Sequence, residues 1–285
     1  MIKKDLNTKQ VGSLFGVDES TVRRWSLAGK IKSSSSAGGH RTFSYKNIME
    51  FAKSKGLELK TNNGKSNLNG KSAIKELTEL ALKQDSKSFE IMLIQMYLNG
   101  VQLTDLMDEY IEKCLVNIQK KLDDEKISVA EEHIARKIVS KSLNNFKHSI
   151  TNNNSSKNKN VLCLNLENDI PDLPIDMIQI LLENSGFTVD NCGSHTSIEN
   201  LKILLKNKSY EAIFIYLCDR QCCTSTMIHN INKTNESLKE ISILGEKYDI
   251  KLFLGGPSFN TIDKDVLKKY NQFTEYSESL ILNKM

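Results

Sequence analysis

The residues best suited to chemistry in this sequence are cations and hydroxyls crowded near its start. Ser20, Thr21, Arg23 and Arg24 fall within DESTVRRWSLAGK, which ends at Lys30, and His40 and Arg41 follow a Ser- and Gly-rich run. Hydroxyls at the start of a helix bond phosphate oxygens, while Arg forks onto a guanine edge or clamps a phosphate. Residues 1–60 hold nine Lys and three Arg against two Asp and three Glu, 12 cations to 5 anions and a net of +7. The rest of the chain has 27 cations and 30 anions, a net of −3. A small basic module on a slightly acidic body suggests one end that meets a polyanion, with a merely solvated surface as the equal alternative; the residues of DESTVRRWSLAGK favour the former, with double-stranded DNA as the partner. The competing use of the same basic face is protein binding.

Two other groups invite a chemical reading. Cys218, Cys222 and Cys223 follow a strand-like run, with Arg220 between them to favour thiolate, the makings of a thiol or metal sensor. No second Cys pair or spaced His completes a tetrahedral set, so no metal site is expected, and small packed side chains are the simpler use of these cysteines. Glu132 and His133 are adjacent, which on a helix points them about 100° apart, so they do not form one metal face. One surface carboxylate beside one packed His is expected there. The sequence has no P-loop, GxSxG or HExxH, and an enzyme is not expected. Asp169 and Asp219 can be placed as the acidic residues of a phosphorylatable receiver domain, but Gly255-Gly256-Pro257 does not suit that scheme.

These residues need elements to hold them. TNNGKSNLNG (61–70) and TNNNSSKNKN (151–160) read as linkers, because they lack the apolar surface that offsets ordering entropy. They divide the 285 residues into a head (1–60), a middle (71–150) and a tail (161–285). The head reads as a helix from a Thr8 cap to Phe15, a second helix to about Ala28, a Gly-rich hairpin and a last helix from Tyr45 to Lys55. The middle has four amphipathic helices with short connections, hence an antiparallel four-helix bundle. The tail alternates strands (161–166, 187–192, 211–218, 251–256) with helices (173–185, 196–207, 225–247, 263–270), which specifies a doubly wound parallel sheet of flavodoxin-like, Rossmann-like type. No apolar run approaches the ~18 residues of a membrane span, and MIKKDLNTKQVG has no apolar core of a secretory signal, so a cytoplasmic protein is expected.

The head resembles the winged helix-turn-helix of the MerR (mercury-resistance regulator) family through Thr8–Val17, Ser20–Trp25, Gly29 and Gly38–Phe43. A helical bundle and an α/β sheet behind such a head resemble that family's cobalamin-binding regulators, among them light-sensing repressors that use adenosylcobalamin. The resemblance implies a sequence-specific transcriptional regulator working as a dimer or tetramer. It places Glu132 and His133 toward a cofactor's upper side, and Gly193, Gly255 and Gly256 as small residues against the corrin and its tail.

The pattern then breaks. The family's lower ligand is a His in an acidic-x-His-x-x-Gly loop, which reads Asp169-Ile170-Pro171-Asp172-Leu173-Pro174 here. Pro171 on the His position has no lone pair for cobalt, and Pro174 replaces the Gly. The Trp expected to cover the upper ligand is Leu122, and the family's small hydroxyl residues fall on Tyr216-Leu217-Cys218. The expectation is therefore a regulator whose tail serves oligomerisation, a protein antagonist or a different ligand, without cobalamin. The alternatives are a cobalamin-dependent light-sensing repressor and a thiol or metal sensor.

Overall fold

The computed structural model describes residues 5–35, 38–55, 70–98, 101–150, 157–167, 172–218 and 231–284. The chain divides into two compact units, Met1–Thr151 and Asn152–Met285.

The first unit begins with β1 (Leu6–Asn7), α1 (Thr8–Phe15) and α2 (Glu19–Leu27). Asn7, not Thr8, caps α1: its side chain accepts from the Gln10 amide at 2.9 Å, and the Gln10 side chain accepts from the Asn7 amide at 3.0 Å. This reciprocal pair satisfies two orphan donors of the first turn, which Thr8, already helical, cannot do. Then β2 (Ser34–Ser35) and β3 (Arg41–Phe43) join β1 in an antiparallel sheet of order β1-β3-β2. α3 (Tyr45–Lys55) packs against the helices Ser86–Leu98 and Val129–Ile150 of the same unit. Phe15, Trp25 and Phe51 form an edge-to-face and tilted aromatic cluster with centroids 4.8–5.7 Å apart.

The rest of the first unit is helical: α4 (Gly70–Leu82), α5 (Ser86–Leu98), α6 (Leu103–Asp105), α7 (Glu112–Asp123) and α8 (Val129–Ile150). The i, i+3/i+4 rhythm predicts one unbroken helix from Leu103. The structure instead widens to a π-helical stretch at Leu106–Ile111, where the Glu112 amide reaches the Met107 carbonyl. Leu106, Met107 and Ile111 nevertheless stay fully buried, so the wider turn keeps the apolar face inward.

The second unit is a five-stranded parallel sheet of order β5-β4-β6-β7-β8, from β4 (Asn160–Leu164), β5 (Thr188–Asn191), β6 (Ala212–Tyr216), β7 (Lys251–Gly255) and β8 (Asn271–Phe273). Helices α9 (Leu173–Asn184), α10 (Ile198–Asn207), α11 (Ile231–Tyr248) and α12 (Lys264–Leu267) connect the strands. Alternation sends Leu162, Leu164, Ile213, Ile215, Leu252 and Leu254 into one core with Leu201, Leu238 and Ile241. The chain reversal between β4 and β6 is the topological switch point of this strand order. The helix expected over 263–270 is a single turn, Lys264–Leu267, and the structure adds the short strand β8 and 3₁₀ turns over Pro257–Thr261 and Tyr276–Lys284.

At the opposite, amino edge of the sheet, Glu211 accepts from Lys159 at 3.2 Å and Lys251 at 3.1 Å, tying β4, β6 and β7 together. The bonds from Lys251 and Lys159 hold its carboxyl below the usual glutamate range. A depressed folded-state pKa contributes stability at neutral pH that fades as acid protonates the group. The urea midpoint of E211Q should therefore lie below that of the parent at pH 7, with the gap closing between about pH 5 and pH 3.

Candidate functional site

The basic face is built on α2 and the β2–β3 hairpin. α1 ends at Gly16, left-handed at φ 61°, and the chain turns into α2 within Gly16–Asp18. Gly12 lets the two helices approach: a Cβ there would stand 2.7 Å from the Val17 carbonyl oxygen. Backbone cannot retreat as a side chain can, so Gly12→Ala should lower stability by about 1–3 kcal/mol. Thermal melting checks this, and an unchanged melting temperature would mean the turn relaxes freely.

Val22 is the fully buried anchor of α2, and Trp25 packs on Phe15 and Phe51. The opposite face carries Ser20, Arg23 and Arg24, all exposed, with Thr21 half-buried beside them. Arg23 donates to Glu19 at 2.9 Å and Arg24 to Thr21 Oγ1 at 3.0 Å. Lys30 and His40 are exposed, and Arg41 is half-buried in β3, paired in register with Ser35. Glu19 was not anticipated as part of this face. Its i, i+4 spacing to Arg23 is the sequence signal for it.

The residues assigned to a cofactor behave differently. In the first unit Glu132 is buried and paired with the Arg136 guanidinium, which also donates to Gln119 at 3.3 Å. His133 is exposed, its Nε2 3.7 Å from Glu132. The expectation of a surface carboxylate beside a packed His is thus inverted. The i+4 partner Arg136 makes burial of the carboxylate tolerable, and nothing comparable draws the imidazole inward.

In the second unit the three glycines are accounted for by the chain itself. A Cβ on Gly255 would stand 2.0 Å from Phe273 Cζ, and one on Gly256 2.1 Å from the Leu217 carbonyl oxygen. Gly256 also has φ 106°, and Gly193, at φ 63°, sits beside the Asp172 carboxylate. Phe273 closes a group with Phe214 and Phe253, while Tyr216 stacks on Tyr276 at 5.8 Å and the two hydroxyls lie 3.3 Å apart. Doubly wound sheets bind ligands at these carboxyl ends. Here Tyr216, Gly255 and Phe273 are the last residues of their strands, and aromatic side chains occupy the space beside them. Pro174, set on a glycine position of the cofactor loop, is buried in the first turn of α9, where its missing N–H costs nothing. Among the described residues, the space beside Gly255 is taken by the Phe273 ring and that beside Gly256 by the Leu217 carbonyl.

Cys218 is buried, and its carbonyl accepts from Ser258 Oγ at 2.9 Å. Cys222, Cys223, Arg220, Asp169, Pro171 and Asp219 lie outside the described residues. Among the described residues no three His, Cys, Asp or Glu side chains are grouped to hold a metal ion. Also among them, no helix is long and apolar enough to cross a membrane.

No family model and no curated protein matches the sequence. Solved structures do resemble it. The monomethylamine corrinoid protein of Methanosarcina barkeri has 15% identity over 76% of this chain and 100% of its own, with a TM-score of 0.52. A cobalamin-binding protein from Desulfitobacterium hafniense DCB-2 has 12% identity over 74% of this chain and 97% of its own, with a TM-score of 0.36. The methanol:cobalamin methyltransferase complex of Methanosarcina barkeri has 14% identity over 82% of this chain and 93% of its own, also at 0.36. At such identity the first of these likenesses is one of fold: this chain shares the helical and Rossmann-like architecture of a corrinoid protein.

Proposed function

We propose that the protein is a sequence-specific DNA-binding transcriptional regulator, whose head is a MerR-type winged helix-turn-helix and whose remaining domains assemble and regulate it without cobalamin. The observation that carries the reading is the outward face of α2, where Ser20, Arg23 and Arg24 are exposed and Thr21 is half-buried, in the same unit as a hairpin that carries His40 and Arg41. A helix of this polarity enters a major groove, and a hairpin beside it reaches the backbone or minor groove. One such head covers too few base pairs for useful specificity, so the reading includes a homodimer or tetramer. The test is selection of duplexes from a random library by the full-length protein. Enrichment of an inverted or direct repeat is expected, with affinity falling steeply as salt rises. Recovery of unenriched sequence, or a strictly monomeric protein by light scattering, would sink it.

Glu19 gives a sharper expectation. Its carboxylate holds Arg23 in the free protein and would face phosphate in the complex. The exposed pair is weak, so Glu19→Gln should tighten DNA binding about two- to threefold at low salt. Fluorescence anisotropy on the selected duplex measures this.

A second reading, a cobalamin-dependent repressor, is favoured by the fold likeness to a corrinoid protein. The packing at Gly255 and Gly256 supports the first reading instead. Absorption of protein purified from a cobalamin-replete host distinguishes them. Corrin bands at near-stoichiometric occupancy, lost in His133→Ala, would restore the second reading.

A further inference from the structure

A cavity of about 230 Å³ lies between α4 and the end of α7, apart from everything described above. Four of the residues lining it are lysines, Lys75, Lys120, Lys121 and Lys126, and Asn117 adds a carboxamide. Two carboxylates, Glu79 and Asp124, line it as well, leaving two ammonium groups in excess.

Both carboxylates already have partners. Asp124 accepts from Lys126 at 2.9 Å, and Glu79 lies 3.7 Å from Lys83. The bond from Lys126 and the charges of Lys126, Lys120 and Lys121 hold the Asp124 carboxyl below the usual aspartate range, and all three lysines line the same cavity. Among the described residues, Lys75, Lys120 and Lys121 have no ion pair of their own. The last carbonyls of α7, those of Lys120, Lys121 and Leu122, accept from the amides of Asp124, Lys126 and Glu125 at 2.8–2.9 Å. Like charges around a concavity focus a positive field, and lysine is a point-charge binder of phosphate.

We infer that this groove binds a compact multivalent anion of the phosphate or diphosphate class. Its volume is below the roughly 300–1,000 Å³ of pockets for drug-sized ligands, so it holds a charged group rather than a whole nucleotide. The inference stands on α4 and α7 and is independent of the DNA reading.

Calorimetric titration of the full-length protein with inorganic pyrophosphate at low salt tests it. One saturable site per chain is expected. K75Q/K120Q, altered at two exposed positions, should weaken it about tenfold, since each partly screened contact contributes a few-fold. K71Q, exposed on α4 outside the groove, should leave it unchanged. The inference is overturned by no saturable heat, by equal binding in K75Q/K120Q, or by loss of binding in R23A/R41A, which would put the anion on the head. Displacement of pyrophosphate by duplex DNA in R23A/R41A would overturn it too, by making the groove a DNA-backbone contact.

Discussion

The double variant R23A/R41A should bind the selected duplex at least about 30-fold more weakly than the parent, while melting at nearly the same temperature. Each Arg that reaches a base edge or a phosphate contributes about 1–3 kcal/mol to the complex. The two arise from different elements, Arg23 on α2 and Arg41 on β3, so their effects should add. Neither holds the head together. Arg23 is exposed, and its partner Glu19, also exposed, contributes at most a few tenths of a kcal/mol. Arg41 is half-buried, but the head is packed by Val22, Phe43, Ile48 and the Phe15–Trp25–Phe51 cluster. The dependence of binding on salt should also flatten, by about one unit of log slope for each phosphate contact removed. Undiminished binding by this variant would move the DNA contact elsewhere or remove it. A large fall in melting temperature would instead make the two arginines structural.

The order of elements was legible because apolar spacing changes sharply along the chain. VLCLNL and EAIFIYLC read as strands because both faces of a parallel sheet are buried; β6 lies within the second run, and β4 begins one residue before the first. β8 was not legible: Asn271 and Gln272 are exposed and polar, and only Phe273 is buried, so three residues carried no periodicity. The α1 cap was misplaced although its signal was present. Asn7 with Gln10 three residues on is the capping-box pattern, and Thr8 beside it is also a favoured N-cap residue type by itself.

Surface placement was legible where one helix face decides it and illegible where tertiary packing decides. Arg23 and Arg24 follow from one helix face with Val22 opposite, a local pattern. The burial of Glu132 depends on Arg136 and on Gln119 from another helix, so adjacency to His133 misled. Gly255 is the clearest case. A glycine after a strand-like apolar run reads as room for a ligand, yet the atom that needs the room is on Phe273, eighteen positions on, in a strand the sequence did not announce.

That difference is measurable as a coupling between the two residues. Gly255→Ala alone should destabilise the second unit by about 1–3 kcal/mol, because the new methyl group would overlap the Phe273 ring. Phe273→Ala alone should cost about 3–5 kcal/mol, since a fully buried ring is lost from contact with Phe214. In the double variant the methyl occupies space the ring has vacated. Gly255 has no left-handed backbone requirement, unlike Gly256, so no conformational strain opposes the alanine. Alanine also restricts the unfolded chain, a gain of about 0.4–1 kcal/mol where the conformation is compatible. Gly255→Ala in the Phe273→Ala background should therefore be neutral or stabilising, and the double variant should cost about 1–3 kcal/mol less than the sum of the singles. Urea unfolding of the four proteins measures the cycle. Additive effects, with Gly255→Ala harmless by itself, would mean that the glycine is not held by Phe273 and leaves open space at the end of β7. A ligand could then enter there, and the absorption experiment would carry the decision between the two readings.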